Sequence, residues 1–218
     1  MQMKMNKKKR RGTFLIAGGL LLIVAALLLT AYNLVDERRA SSFVNDVIEQ
    51  LEPVVVSEKT QSEEIPESVI MNPGEMEIPD YILNPEMDMP ETVISGRNYI
   101  GVLEIPSLGL RLPVISEWSY PDLKAAPCRY DGSAYQDNMI IAAHNYRSHF
   151  GRLKELAMGE EISFTDLDKN KFTYVVTDRI TLMPDDIKGM KSGEWDLTLF
   201  TCTLGGQYRI TVRCERKE

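Results

Sequence analysis

Thr198-Leu199-Phe200-Thr201-Cys202 is an apolar, β-branched run that ends on a cysteine, and a run of this kind reads as a buried strand. A second apolar stretch, 208–214, follows after Gly205 and Gly206, so the two read as an antiparallel hairpin turning over residues 203–207. In that register Arg209 lies almost opposite Cys202. Arg213 lies four residues on, about 13 Å further along at roughly 3.3 Å per residue. A thiol at a strand end can act as a nucleophile, and a fixed cation beside it can hold a developing oxyanion. The base that such chemistry needs is His144, which closes the apolar run Asn138-Met139-Ile140-Ile141-Ala142-Ala143. His149, the only other histidine, reads as the exposed start of a helix or loop, and a strand end is the more rigid mount. His144, Cys202 and Arg209 together point to acyl transfer through a thioester.

The pentapeptide T-L-F-T-C also resembles the TLxTC signature of sortases, the cysteine transpeptidases of Gram-positive cell surfaces. Tyr99-Ile100-Gly101-Val102-Leu103-Glu104-Ile105-Pro106 is similar to the opening strand of the sortase domain. Phe150-Gly151-Arg152-Leu153-Lys154-Glu155-Leu156 is similar to the helix that follows the family's histidine. The resemblance implies a mostly β fold, an eight-stranded barrel with one or two short helices. It also implies that Cys202 attacks the Thr–Gly carbonyl of an LPxTG-like sorting signal to form a thioacyl enzyme. His144 would protonate the leaving amine and later deprotonate the incoming one, and Arg209 would bind the carbonyl and its oxyanion. The implied partners are surface proteins that carry the signal and an amine acceptor, either a peptidoglycan cross-bridge terminus or a pilin lysine. Two alternatives stand beside this reading: a catalytically silent peptide-binding surface module, which the presence of all three residue types disfavours, and a thiol endopeptidase that releases the same product to water.

Upstream, residues 13–35 are 23 residues without a charge, long enough at about 1.5 Å per residue to cross a bilayer core of roughly 30 Å. Residues 1–12 hold six bases and no acid, so the positive-inside rule keeps this tail in the cytoplasm and the rest of the chain outside, as a single-pass protein surrounded by membrane lipid. A cleaved signal peptide is the weaker reading, because its apolar segment is usually about 7 to 15 residues. Without those six bases the chain holds 19 bases against 32 acids, a net of −13, the wrong sign for binding nucleic acid. Residues 36–51 read as a juxtamembrane helix with Phe43, Val47 and Leu51 on one face. Residues 52–96 contain six of the eleven prolines, and eleven acids against the single base Lys59, the composition of an extended tether. Within it, Ile78-Pro79-Asp80-Tyr81-Ile82-Leu83 is an apolar patch that a lid over a substrate groove would need. The catalytic domain is expected over 97–218.

In that domain the runs 98–105, 110–115, 138–143, 161–164, 172–177, 197–201 and 208–214 read as strands bounded by turn residues. Seven or eight short strands with few helices argue a closed or nearly closed barrel. Leu153, Leu156 and Ala157 give residues 152–157 the spacing of one short amphipathic helix. Of the three cysteines, Cys128 reads as an incidental loop residue, and Cys128 and Cys214 as buried, inert thiols rather than a bridge. Glu160, Glu161, Asp166 and Asp168 read as solvated turn acids rather than a calcium site. With no nucleotide loop, flavin motif or metal-ligand spacing, no cofactor is expected.

Overall fold

The computed structural model describes residues 2–55, 78–191 and 195–217. By contacts the chain divides into two units, Met1–Arg39 and Ala40–Glu218. A single helix, α1, runs Gln2–Val55. In the first unit its leucines and isoleucines from Phe14 onward are exposed all round, and the helix is long and apolar enough from Phe14 to cross a membrane. The side chains of the basic tail lie outside the described residues.

The second unit is a barrel of eight strands, joined by one short extra strand. β1 (Thr92–Ile94), β2 (Arg97–Ile105), β3 (Leu110–Ile115), β4 (Cys128–Asp131) and β5 (Met139–Ala142) are followed by β6 (Glu161–Asp166), β7 (Lys171–Leu182), β8 (Leu197–Cys202) and β9 (Arg209–Arg216). The order around the barrel is β2-β3-β4-β5-β8-β9-β7-β6, and β6 pairs back onto β2 to close it. The β3–β4 and β5–β8 pairs are parallel and the rest antiparallel. Closure leaves β2 with no free edge, which removes the open ladder that edge strands expose.

A bulge between Tyr99 and Gly101 makes this closure possible: β2 pairs with β1 up to Tyr99 and with β6 from Gly101. Gly101 has φ +154, and a Cβ there would stand 2.2 Å from the Thr165 carbonyl oxygen, so only glycine admits so close an approach of the two backbones. Inside, alternate residues of each strand meet; Phe172, Tyr174 and Val176 of β7 are buried between half-exposed neighbours.

The sequence reading is corrected in several places. The C-terminal part of α1, read from the sequence as a juxtamembrane helix, packs on the barrel. Its Ala40, Val44, Val47 and Leu51 are buried in the core, a stripe of helical period. The Arg97 guanidinium lies 5.3 Å over the Phe43 ring, and Glu52 pairs with Arg111 at 2.5 Å. The tether does not extend through residues 78–96. A short helix, α2 (Asp80–Leu83), stacks Tyr81 on Tyr135 at 4.8 Å and tilts it on Phe172 at 5.3 Å; Met89 is buried and β1 joins the sheet. The patch 78–83 thus packs on the barrel through Tyr81, against Tyr135 and Phe172. Residues 56–77 of the expected tether lie outside the described residues.

The helix expected over 152–157 is a single 3₁₀ turn, Leu153–Glu155. The chain leaves helical conformation at Leu156, whose φ of −61 and ψ of 130 are extended, and Arg179 of β7 donates to the Leu156 carbonyl at 2.8 Å and also to that of Lys154. Leu153 and Leu156 are buried as the pattern predicts, whereas Ala157 is exposed. Cys128 opens β4 rather than lying in a loop. Asp166 is fully buried, not solvated, accepting from the Tyr135 hydroxyl at 2.7 Å and from the backbone and side-chain nitrogens of Asn170 at 2.8 Å.

Candidate active site

β8 and β9 set Cys202 opposite Arg209, and the β5–β8 register leads toward His144, two residues beyond the end of β5. In the parallel β5–β8 pair Ala142 stands beside Phe200. The pairing continues through the Ala143 amide to the Phe200 carbonyl at 3.2 Å and the Thr201 hydroxyl to the Ala143 carbonyl at 2.9 Å. Carrying that register forward by two residues makes 144 level with 202. In the antiparallel β8–β9 pair Cys202 stands directly opposite Arg209. Facing residues of such a ladder project to the same side, so Cys202 and Arg209 share a face with Phe200 and Thr211 below them, and Thr198 and Arg213 below those.

His144, Cys202 and Arg209 are each half-buried. The Nδ1 atom of His144 accepts the Asn145 amide at 3.0 Å, and its ring lies 4.3 Å from the ring of Tyr146 at 31°. Arg209 donates from Nη1 to the Gly206 carbonyl at 3.2 Å, while the turn itself is closed by the Thr203 amide to the Tyr208 carbonyl at 2.9 Å. The guanidinium is thus held against a closed turn beside the thiol.

A groove of about 190 Å³ opens over this face, with Ala142, Phe200, Cys202 and Arg209 along its floor. Trp118, Tyr120 and Tyr130 form one wall, and Met183, Pro184, Ile187 and Met190 the other. Tyr120 belongs to α3 (Tyr120–Leu123), whose N-terminus is capped by Ser119 accepting the Asp122 amide at 3.2 Å. Asp122 also takes Arg97 at 2.6 Å, and Ser119 and Arg97 together hold its carboxyl below the usual carboxylate range. Tyr130 meets Phe200 edge-on at 5.3 Å. The opposite wall carries a short helix, α4 (Ile187–Met190), capped by Asp186. Tyr120, Met183 and Ile187 are exposed, so the groove is apolar and open, suited to an extended peptide. A larger cavity of about 390 Å³ lies near Asp131, Asn138 and Thr198, but it holds none of the trio.

The remaining thiols and the second histidine contrast with this face. Cys128 and Cys214 are fully buried and unbridged, and burial pushes both thiols up to about 12. His149, expected at the surface, is fully buried with no partner on either ring nitrogen among the described residues. Burial, with the charge of His144 as a lesser cause, pushes its imidazole down to about 4. Its amide bonds the Tyr146 carbonyl at 3.0 Å, a turn that folds the segment inward. The groove walls escaped the sequence reading. Their only signal was aromatic and methionine residues outside the alternating runs.

Residues 103–217 match the family model of the sortase domain. The chain belongs to the sortase family. Among solved structures, sortase C1 from Streptococcus agalactiae is 27% identical with a TM-score of 0.50, the match covering 58% of this chain and 71% of that one. Sortase A from Corynebacterium diphtheriae is 21% identical with a TM-score of 0.50, over 56% of this chain and 62% of that one, so this sortase spans under two thirds of that relative. Sortase C from Clostridium perfringens SM101 is 27% identical with a TM-score of 0.49, over 66% and 78%. No curated protein matches. As a sortase, the chain is a cysteine transpeptidase by family.

Proposed function

We propose that this sortase is anchored in the cell membrane by residues 13–35, with residues 1–12 in the cytoplasm and the barrel outside. There it cleaves an LPxTG-like sorting signal and transfers the acyl part to an amine. The observation that supports the reading is the register that sets Cys202 opposite Arg209, with His144 two residues beyond the end of the neighbouring β5. The signal lies extended in the apolar groove with its Thr–Gly carbonyl at Cys202. His144 takes the thiol proton, and Sγ attacks the carbonyl carbon to give a tetrahedral oxyanion. Arg209, always charged and planar, donates to that oxygen. The C–N bond then breaks, His144 gives its proton to the glycine amine, and a thioester remains on Cys202. An incoming amine, from a peptidoglycan cross-bridge or a pilin lysine, loses its proton to His144 and attacks the thioester, releasing the thiol.

The test is mass spectrometry of the full chain in detergent with a sorting peptide, with and without triglycine. An acyl adduct on Cys202 and a product whose formation needs the amine are expected. An adduct on Cys128 or Cys214 overturns the assignment, and equal product release to water alone makes the protein an endopeptidase.

A further inference from the structure

The wall of the groove between β7 and β8 is fastened from below by a residue that the proposed chemistry does not use. Arg213 is only 9% exposed. Its Nη2 donates to the Gly189 carbonyl at 2.6 Å, and its guanidinium lies 5.3 Å over the Trp195 ring. Both contacts are to the segment between β7 and β8. Arg213 stands opposite Thr198, four residues and roughly 13 Å from Arg209, out of reach of the reacting carbonyl.

The same segment supplies Met183, Pro184, Ile187 and Met190 to the groove. Gly189 is the residue through which it is tied: its amide bonds Asp186 at 2.8 Å and its carbonyl takes Arg213. A second tie joins the end of the segment to the sheet, where Lys191 pairs with Asp131 of β4 at 2.6 Å. That pair is close to half exposed on both sides, so solvent screens it and it contributes little. A charged donor withdrawn from water onto a carbonyl is the stronger fastening. A cation is also the side chain that can bond a carbonyl and stack on an indole at once.

We infer that Arg213 is a positioning residue that sets peptide specificity, by fixing the Met183–Met190 wall at the width that grips the apolar part of the sorting signal. The inference rests on the sortase reading above. Loosening the wall weakens binding of the peptide and its discrimination between large and small apolar residues, while the thiol, its base and Arg209 keep their places.

The experiment uses the full chain in detergent, with Arg213→Met, Arg213→Lys and Trp195→Leu. Three quantities are read: kcat and KM for an LPxTG peptide, the same for a peptide with its leucine replaced by alanine, and the iodoacetamide rate of Cys202. For Arg213→Met, KM rises about tenfold with kcat largely kept, a loss of ground-state binding. Leucine-over-alanine preference falls toward unity and the alkylation rate is unchanged. Arg213→Lys, which keeps a donor but not the planar fork, recovers part of the KM, and Trp195→Leu repeats the Arg213→Met pattern if that variant fails to fold. An unaltered KM and preference in the variants overturns the inference, as does a fall in kcat together with slowed alkylation. Failure of the wild type to turn over either peptide strikes the sortase reading instead.

Discussion

Arg209 stands directly across the β8–β9 ladder from Cys202, on the same face and beside the same groove. Loss of one oxyanion donor typically costs about 10²- to 10³-fold in turnover. Arg209→Ala is therefore expected to lose at least about that much kcat, and Arg209→Lys to recover little, because a point charge lacks the planar fork. Cys202→Ala abolishes turnover. Steady-state rates with circular dichroism as a folding control decide this, and a larger kcat loss at Arg213 than at Arg209 rejects the proposed site.

The three thiols should separate cleanly in a labelling experiment. Cys128 and Cys214 are buried and pushed up to about 12, so at pH 8 about one in 10⁴ of either is thiolate even before access is considered. Cys202 is half-exposed at the groove floor. Iodoacetamide is expected to modify one cysteine per native chain, mapped to Cys202, and all three in denaturant. Native labelling of Cys128 or Cys214 contradicts the burial on which their inertness rests.

The strands that carry the trio were legible because β5, β8 and β9 are apolar runs that end at turn residues, and the hairpin length alone set Cys202 against Arg209. The short β4 was not, since it is only four residues long and Arg129 and Tyr130 break its apolar character. β1 was hidden in a proline-rich acidic segment whose composition argues a tether, although Met89 and Ile94 within it are buried. His149 shows the same limit at a single residue, because a polar neighbourhood in sequence does not reveal that the 146–149 turn drives the ring inward. The role of Arg213 was hidden for the same reason: Gly189 and Trp195, which engage it, belong to the segment between β7 and β8.

His149 gives the fold a pH dependence of known sign. Its folded value of about 4 is depressed below the unfolded value of about 6.5, so between these limits the unfolded chain binds the proton and the native chain does not. Stability contributed by the neutral ring is present above about pH 6.5 and falls as pH drops toward 4, by up to about 3 kcal/mol. Urea unfolding from pH 7.5 to 4 measures this. In His149→Phe the histidine part of the slope should vanish, leaving the carboxylates' share. An identical slope in the variant means the ring is not the neutral, buried group that the structure shows.

The barrel should depend on the segments that precede it. Tyr81 stacks on Tyr135, Met89 is buried, and Val44, Val47 and Leu51 of α1 enter the core. A chain beginning at residue 97 lacks all of these and exposes the surfaces they cover, whereas one beginning at residue 36 keeps them. The shorter chain is expected to unfold at least about 5 °C lower, given roughly 2–4 °C per kcal/mol for domains of this size. Met89→Ala in the full chain isolates one contact and should cost about 2–5 kcal/mol, the range for a buried methionine. Calorimetry of the two chains and urea titration of the variant provide the check. Equal midpoints for the chains starting at 36 and 97, with Met89→Ala within about 0.5 kcal/mol of wild type, a range typical of surface substitutions, would return residues 78–96 to the status of a tether.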